Sequence, residues 1–189
     1  MCMFTGIHPL VSATRILVAL IAMNFQLTVY QNNISWNGTY DGESGTAMIL
    51  PVAGNGNIRM LDMSSYSTIF DDLNNDNNDF DGMQTFSSRK EFNKPLPIQR
   101  VGAYDVSVAK NLEELKDLDW SFFKLDNTLL KTLELHYKAN FGFCVARIRQ
   151  GEGKKPHPIA YIHEIDQNGQ LFVPTRHEGH DSAFGDVYE

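Results

Sequence analysis

Cysteine and long apolar runs are both scarce in this chain, and each shortage excludes a class of protein. Only Cys2 and Cys144 occur among 189 residues, whereas small secreted domains held by disulfides normally carry more. The longest apolar run, ILVALIAM at 16–23, falls far short of the roughly 20 residues that span a bilayer. Two free thiols are the simplest interpretation, although one bridge stays open, and the run predicts a buried strand rather than a signal peptide. We expect a cytoplasmic location, or a place within an assembly, rather than export.

Positive charge is also scarce. Lys and Arg number 16 against 23 Asp and Glu, which gives a net charge of −7. Since nucleic-acid-binding proteins concentrate Lys and Arg, and anionic membranes attract them, neither partner is expected. Hydrophobic residues at 42% and aromatic residues at 11% supply enough apolar mass for a core. A protein partner, or self-association, is the interaction that this composition leaves open.

The usual catalytic motifs are missing. The sequence has no P-loop, no C-x-x-C pair and no H-E-x-x-H. The segment GESG at 42–45 is one residue short of a nucleophile elbow, and GNGN at 54–57 lacks the third glycine of a dinucleotide-binding loop. We therefore expect a non-catalytic binding or structural module, without a cofactor, that works within a larger assembly. Such a module should expose an apolar patch.

The first half of the chain predicts antiparallel strands followed by a helix. Thr14–Ala22 and Gln26–Ile34 are rich in β-forming residues and are close enough in sequence to form a hairpin. Thr46–Val52 predicts a buried strand. Asp62 or Ser64 is placed to cap a helix. The apolar residues of that helix follow helical spacing and are Tyr66, Ile69, Phe70 and Leu73.

Residues 71–82 (DDLNNDNNDFDG) form an acidic, Asn-rich stretch. Because it has little to bury, it predicts a surface loop. Its early oxygen spacing is that of a calcium loop, but Asn77 stands where Gly is needed and Met83 where a bidentate Glu belongs. Calcium binding is therefore not expected there.

The second half of the chain predicts strands around a block of helices. Tyr104–Val108 predicts a strand, and Asn111 is placed to cap a short helix. Asp126 or Asn127 caps the clearest helix, and Asn140 is a candidate left-handed stop for it. The apolar stripe of this helix is Leu129, Leu130, Leu133 and Tyr137.

The last part of the chain predicts a strand and then a hairpin. Phe141–Arg149 has the composition of a strand. Ile159–Ile165 and Leu171–Thr175 flank Asn168 and Gly169, and Asn-Gly is the strongest short hairpin signal. The tail at 176–189 is polar and predicts irregular structure.

These elements show no regular alternation of strand and helix, so the fold class predicted is α+β. We expect a largely antiparallel sheet with two to three helices packed on it. A single domain should cover 1–189, with two sub-halves at 1–90 and 95–175.

The densest chemical cluster is HEGHD at 177–181. His177, His180 and Asp181 bring together two imidazoles and a carboxylate, which can coordinate zinc or another divalent metal. The competing interpretation is a solvated polar tail. If Asn168 and Gly169 form a two-residue turn, His163 and His177 project from opposite faces, so His163 does not supply a third imidazole.

Cys2 is the candidate for catalysis. Removal of Met1 would leave a thiol and a free α-amine on one residue, which can act as nucleophile and general base in an amidohydrolase. Arg15 could bind a substrate carboxylate, and Asn32 or Asn33 could donate to the developing oxyanion. The competing interpretation is that Cys2 is a small apolar residue at the start of a first strand.

A set of short motifs resembles a family of uncharacterised bacterial-type proteins. In order they are Met1-Cys2-x-Phe4, Ser12-x-Thr14-Arg15-Ile16, Ala47-Met48-Ile49-Leu50-Pro51, Asp62-x-Ser64-x-Tyr66, Val101-Gly102-Ala103-Tyr104, Phe141-Gly142-Phe143, His157-Pro158-Ile159-Ala160 and Phe172-x-Pro174-Thr175-x-His177. The resemblance covers nearly the whole chain and implies no activity, because the function of that family is unknown. This chain departs from the family at its end, where His177-x-x-His180-Asp181 replaces a His-x-His-Asp-Gly pattern.

Overall fold

The computed structural model describes residues 2–5, 10–22, 24–35, 46–54, 57–74, 96–137, 140–149, 156–165, 170–175 and 177–178. The described strands are β1 (Cys2–Phe4), β2 (Leu10–Ala22), β3 (Phe25–Ser35), β4 (Ala47–Ala53), β5 (Arg59–Leu61), β6 (Gln99–Val101), β7 (Tyr104–Ala109), β8 (Phe141–Ile148), β9 (Ile159–Glu164) and β10 (His177–Glu178). The described helices are α1 (Ile69–Asp72), α2 (Leu112–Lys116), α3 (Trp120–Phe123) and α4 (Asn127–His136), with a 3-10 turn at Ser64–Tyr66 before α1. The α+β fold class predicted from the sequence is confirmed.

The strands form two sheets rather than the one expected. The larger has the order β10-β1-β4-β8-β7-β6, and the smaller has the order β2-β3-β9-β5. Every described pairing is antiparallel except the parallel contact of β1 with β10. Each sheet takes strands from both ends of the chain, since β4 pairs with β8 and β3 pairs with β9.

The two sheets pack face to face around the central core. Tyr30 and Tyr161 of the smaller sheet meet Leu50 and Val106 of the larger sheet, and all four are fully buried or nearly so. The other face of the larger sheet is covered by α2, α3 and α4, where Leu115, Leu129 and Leu133 pack on alternate residues of β4 and β8. The outer face of the smaller sheet is covered by α1 and the 3-10 turn. Alternation of side chains along β4 therefore serves two cores at once.

The helix starts follow the capping chemistry predicted from the sequence. The Asn111 side chain accepts from the Glu114 N–H at 2.9 Å, and the Asp126 side chain accepts from the Leu129 N–H at 2.8 Å. Asp119 caps α3 in the same way, which sequence analysis missed. Each bond satisfies a backbone donor that the helix itself leaves unpaired.

Three sequence predictions about helices are wrong. The helix expected after Asp62 is broken into the 3-10 turn and α1, although Asp62 does accept from the Ser64 N–H. The predicted loop at 71–82 begins inside α1, which ends at Asp72; residues 75–82 lie outside the described part. The stop at Asn140 is wrong because α4 ends at His136 and the following residue, Tyr137, is already extended.

The predicted hairpin between Ile159–Ile165 and Leu171–Thr175 is also wrong. β9 forms, but Leu171–Thr175 is not a strand. The physical reason is that β9 has β3 along one side and β5 along 160–162 on the other, so a hairpin partner would compete with strands already in place. Asn168 and Gly169 lie outside the described residues.

Candidate functional site

The edge of the smaller sheet formed by β2 differs from every other described sheet edge. β2 has 13 residues, whereas the edge strands β5 and β6 have 3 each and β10 has 2. Within the described residues β2 pairs only with β3, so one row of its backbone N–H and C=O groups has no strand partner. Such an edge is a template for another strand, and proteins commonly block it with charge, proline or bulges.

Two irregularities delimit the regular part of this edge. The register of β2 against β3 shifts between Ser12 and Arg15 and again between Leu20 and Ala22. At the first shift Ala13 has a φ of 49°, the left-handed conformation that β-bulges often use. Between the shifts, Arg15–Leu20 pairs without interruption, and its sequence is RILVAL. We call this segment the β2 edge.

The single charged residue of the β2 edge is occupied by contacts within the chain. Arg15 Nη1 forms an ion pair with the Asp71 carboxylate of α1, and its guanidinium carbon lies 5.3 Å from the centre of the Phe70 ring. The ion pair is partly exposed and adds little stability by itself. Arg15 is therefore held against α1 on one face of the sheet, and residues 16–20 of the β2 edge carry no charge themselves.

Exposed apolar side chains cluster at the end of this strand. Leu20 is 56% exposed and Ile21 is 48% exposed. Leu20 lies directly opposite Gln26 of β3, and the Gln26 side chain in turn binds the backbone of Phe172. Phe172 is flanked by two further exposed apolar residues, Leu171 and Val173. Leu20, Leu171 and Val173 are thus linked through the Gln26–Phe172 contact; the apolar patch of an assembly subunit stays a prediction.

The structure brings Cys2 and His177 next to each other. β1 and β10 pair in parallel, with Cys2 in register with His177. Sequence analysis had assigned these residues to separate candidate sites, one catalytic and one metal-binding. Met1, His180 and Asp181 lie outside the described residues. Among the residues that are described, no group of three His, Cys, Asp or Glu is placed to hold a metal ion.

The other residues proposed around Cys2 lie in the smaller sheet. Arg15 is bound to Asp71, as described above, and Asn32 points into the space between the sheets, where it is 7% exposed. The Asn32 amide oxygen accepts from the Thr14 hydroxyl at 2.8 Å, and its amide nitrogen contacts Met48 Sδ at 3.9 Å. Asn33, the next residue of β3, pairs with Ser12 and is half-buried.

A small pocket opens between the sheets beside Asn32. It is lined mainly by apolar side chains, among them Phe4, Tyr30, Ile34 and Tyr104. The space inside is about that of a single water molecule. A substrate or cofactor does not fit there without movement of the lining side chains.

His157 is a structural histidine. Its Nε2 accepts from the Ala103 N–H at 2.8 Å, and Nδ1 lies 2.8 Å from the Pro158 carbonyl, so the proton belongs on Nδ1. The Tyr104 hydroxyl donates to the His157 carbonyl at 2.7 Å, and burial raises the pKa of that hydroxyl. The ring therefore fixes the turn between β6 and β7 to the segment before β9.

Asp62 lies on the other side of the same turn. Burial raises the pKa of Asp62, but hydrogen bonds from Ser64 and from the backbone of Gly102 outweigh it and lower the pKa below 3.8. Gly102 has a φ of 53°, and a Cβ at this position would lie 2.0 Å from His157 Nε2. Only glycine fits this position, both in conformation and in space.

His163 is the second buried imidazole. It is 2% exposed, its Nδ1 lies 3.0 Å from the Glu164 carbonyl, and its Nε2 has no hydrogen-bond partner within the described residues. Burial lowers the pKa of this imidazole from 6.5, and the carbonyls of Glu164 and Ala53 offset only part of that effect. His163 lies on β9 opposite Gln26, in the sheet that does not contain His177.

No helix within the described segments is long and apolar enough to cross a membrane.

Sequence analysis identified a strand here, but its prediction that the strand is buried is wrong, because β2 lies at a sheet edge where residues 14–19 are half-buried and Leu20 and Ile21 are exposed. Edge position depends on the order of strands in the sheet, which joins residues far apart in the chain. One feature of the sequence could have indicated an unusual strand. A strand with one solvent-facing side alternates polar and apolar residues, whereas ILVALIA is apolar throughout.

Comparison with known proteins gives one informative match. No protein-family model and no curated protein matches the chain. Among solved structures, the crystal structure of baculovirus P35 is similar, with a TM-score of 0.54 and 20% identity in a match that covers 95% of this chain. The chain spans 63% of the length of that structure. At this identity the similarity shows the fold alone, and the resemblance to a bacterial-type family stays a prediction.

Proposed function

We propose that this chain is a non-catalytic protein-binding module that accepts an extended apolar strand along the β2 edge. The observation that carries the proposal is the uninterrupted apolar run from Ile16 to Leu20, which pairs with β3 on one side and has no strand partner on the other within the described residues. Backbone hydrogen bonds would supply affinity, and apolar side chains on alternate faces would supply selectivity. The role needs no cofactor, and it suits a cytoplasmic protein or a subunit of an assembly.

The chemistry of the edge selects the kind of partner. Residues 16–20 carry no charge, and Arg15 is already paired with Asp71. A partner strand rich in Val, Ile or Leu would therefore gain contacts without leaving a charge unpaired. The low content of basic residues argues against nucleic acid as the partner.

A labelled peptide tests strand binding directly. The probe is a fluorescein-labelled peptide with an alternating Val and Ile run and lysines at both ends for solubility. We expect its anisotropy to rise with the wild-type chain, and the amides of 15–20 to gain protection from hydrogen exchange. Val18→Arg should abolish both effects, because a charge at the edge opposes strand pairing.

The matched control replaces an apolar residue far from the edge. Leu135 on α4 is 75% exposed and lies outside the smaller sheet. Leu135→Arg should bind the peptide as the wild type does. A wild-type chain that leaves the peptide anisotropy unchanged, or equal loss in both variants, would overturn strand binding as the function.

The second candidate function is an amidohydrolase that uses Cys2 as its nucleophile. It is favoured by the backbone register of Cys2 with His177, which puts two residue types that form thiolate–imidazolium pairs in enzymes on adjacent strands. The α-amine mechanism also requires the removal of Met1. Arg15 is less suited to substrate binding than the sequence suggested, because its guanidinium is engaged by Asp71.

Intact mass with and without iodoacetamide tests this candidate. Cys144 is fully buried, so labelling of the folded chain reports on Cys2. The amidohydrolase requires a chain without Met1 and a thiol that reacts faster than a model thiol at neutral pH. Retention of Met1, or labelling at the model rate, would exclude the mechanism.

A further inference from the structure

We infer that the strand accepted at the β2 edge is the β2 edge of a second copy of this chain, in an antiparallel pairing centred on Val18. The inference rests on the proposed function and names its partner. Two copies would join their smaller sheets into one continuous sheet of eight strands. The pairing accounts for the length of the regular edge, its lack of free charge and the exposure of Leu20.

Symmetry restricts the register. A two-fold axis perpendicular to the sheet reverses the direction of β2 and keeps each face of the sheet on its own side. Because side chains alternate between faces, only residues of the same face can lie opposite one another. The sum of the two paired residue numbers must therefore be even within the regular segment.

The bulges select one of the allowed registers. Pairing centred on Val18 places Ile16 opposite Leu20 and Leu17 opposite Ala19 of the second copy. All these residues lie between the two register shifts of β2, where the strand is regular. A register centred one residue later would place two apolar residues of the run, Leu17 and Ile16, opposite Ile21 and Ala22 at the second shift, whereas centring on Val18 pairs all of Ile16–Leu20 within the regular segment.

Charge is compatible with this register. In a symmetric antiparallel pairing, like charges at the same position can be brought face to face, which is destabilising. Centring on Val18 places Arg15 beside Ile21 of the second copy instead of its own equivalent. Arg15 also keeps its ion pair with Asp71, which is within its own chain. The apolar pairs then remove partly exposed side chains, among them Leu20, from water.

The short edges at the other ends of the sheets do not offer an equivalent site. β5 and β6 are each three residues long and include Arg59 and Arg100, respectively. Arg59 stacks on Phe25, with its guanidinium carbon 5.6 Å from the ring centre. A short edge with a charge is one of the usual protections against strand pairing. The β2 edge is longer, and its one charged residue, Arg15, is already paired with Asp71, so the inference is made for this strand.

Sedimentation velocity over a wide range of protein concentration tests the dimer. We expect the wild type and Leu135→Arg to form dimers as concentration rises, and Val18→Arg to stay monomeric with unchanged circular dichroism. The lysine-flanked peptide should dissociate the dimer, because both occupy the same edge. A monomer at every concentration that still binds the peptide would overturn the inference and leave the proposed function standing. A monomer that does not bind the peptide would overturn both.

Disulfide trapping tests the register without a disruptive substitution. In a Cys2→Ser background, Val18→Cys should form a disulfide-linked dimer on mild oxidation. Directly opposed residues of an antiparallel pair lie about 4.5–5.5 Å apart between Cα atoms, within the range for a disulfide. Ile16→Cys and Leu20→Cys should cross-link to each other when the two proteins are mixed and far less when each is alone. Equal cross-linking of all three variants alone, or none by Val18→Cys, would overturn this register.

Discussion

The side chain of Gln26 binds the backbone of Phe172 through both ends of its amide. Nε2 donates to the Phe172 carbonyl at 2.7 Å, and Oε1 accepts from the Phe172 N–H at 2.9 Å. Gln26 is fully buried in β3, while Phe172 also packs against Phe141 of the larger sheet, with 5.3 Å between ring centres. The Gln26 amide thus forms with Phe172 the pair of backbone hydrogen bonds that a neighbouring strand would form. Through Phe172 it also links the two sheets at this end.

Removing this amide should destabilise the fold. We expect Gln26→Ala to lower the free energy of unfolding by about 2 kcal/mol, because three hydrogen bonds are lost, two with the Phe172 backbone and one with the Thr28 hydroxyl, and a partly buried N–H and carbonyl lose their partners. Urea unfolding followed by circular dichroism measures the change. Gln31→Ala is the matched control, since Gln31 lies on the same strand and its Oε1 has no partner in the described part. Equal effects of the two substitutions would contradict a specific role for the Gln26–Phe172 contact.

The error at Leu171–Thr175 shows where sequence reasoning fails. The Asn-Gly pair indicated a hairpin, and it is a local signal. Whether β9 has a free side depends on β3 and β5, which lie about a hundred residues or more away in the chain. The caps at Asn111 and Asp126 were predicted correctly because a cap is decided within four residues.

The candidate sites show the same difference between local and long-range features. The local sequence predicts the strand at 16–22, whereas its position at a sheet edge depends on distant strands. The register of Cys2 with His177 joins the two ends of the described chain, and no local pattern encodes it. His157 was quoted only within a motif, and its buried role depends on the turn at Gly102.

The turn at Gly102 provides a second prediction. Gly102→Ala should lower the free energy of unfolding by about 3 kcal/mol, since a left-handed φ costs about 1–2 kcal/mol and the new methyl meets His157. The double variant Gly102→Ala with His157→Ala separates the two costs. Because the steric part disappears when the ring is absent, the double variant should lose less than the sum of the single variants. Strict additivity in urea unfolding would mean that the Gly102–His157 contact is not the cause.

The buried imidazole of His163 predicts a pH dependence of stability. Burial lowers its pKa in the folded state below 6.5, so the unfolded chain binds a proton at a higher pH than the folded chain does. Stability is therefore complete above about pH 6.5 and falls as the pH drops from there towards the lower folded pKa. The contribution of Asp62 to stability is lost at a more acidic pH than that of His163, because the pKa of Asp62 in the folded state lies below 3.8.

Unfolding midpoints measured in steps from pH 8 to pH 5 test this dependence. We expect His163→Asn to reduce the slope between pH 6.5 and 5 relative to the wild type, whatever its effect on stability at pH 8. The comparison of slopes, not of absolute midpoints, separates titration from lost packing. An unchanged slope in the variant would assign the loss of stability to other groups.

Zinc binding at the end of the chain is the last prediction. His177 pairs with Cys2 across β1 and β10, and His180 and Asp181 follow within four residues, so a thiolate, two imidazoles and a carboxylate are available from two segments. A metal held by both segments would tie β10 to β1 and raise the unfolding midpoint increasingly as free zinc exceeds its Kd. We expect added zinc to raise the midpoint of the chelator-treated wild type, and the double variant His177→Ala with His180→Ala to lose that rise. Elemental analysis of protein purified without chelator gives the zinc stoichiometry.

The matched control is His136→Ala, which should keep the rise in midpoint with zinc, because His136 lies on α4 and not on β1 or β10. A wild-type midpoint that ignores zinc would return the cluster to a solvated polar tail.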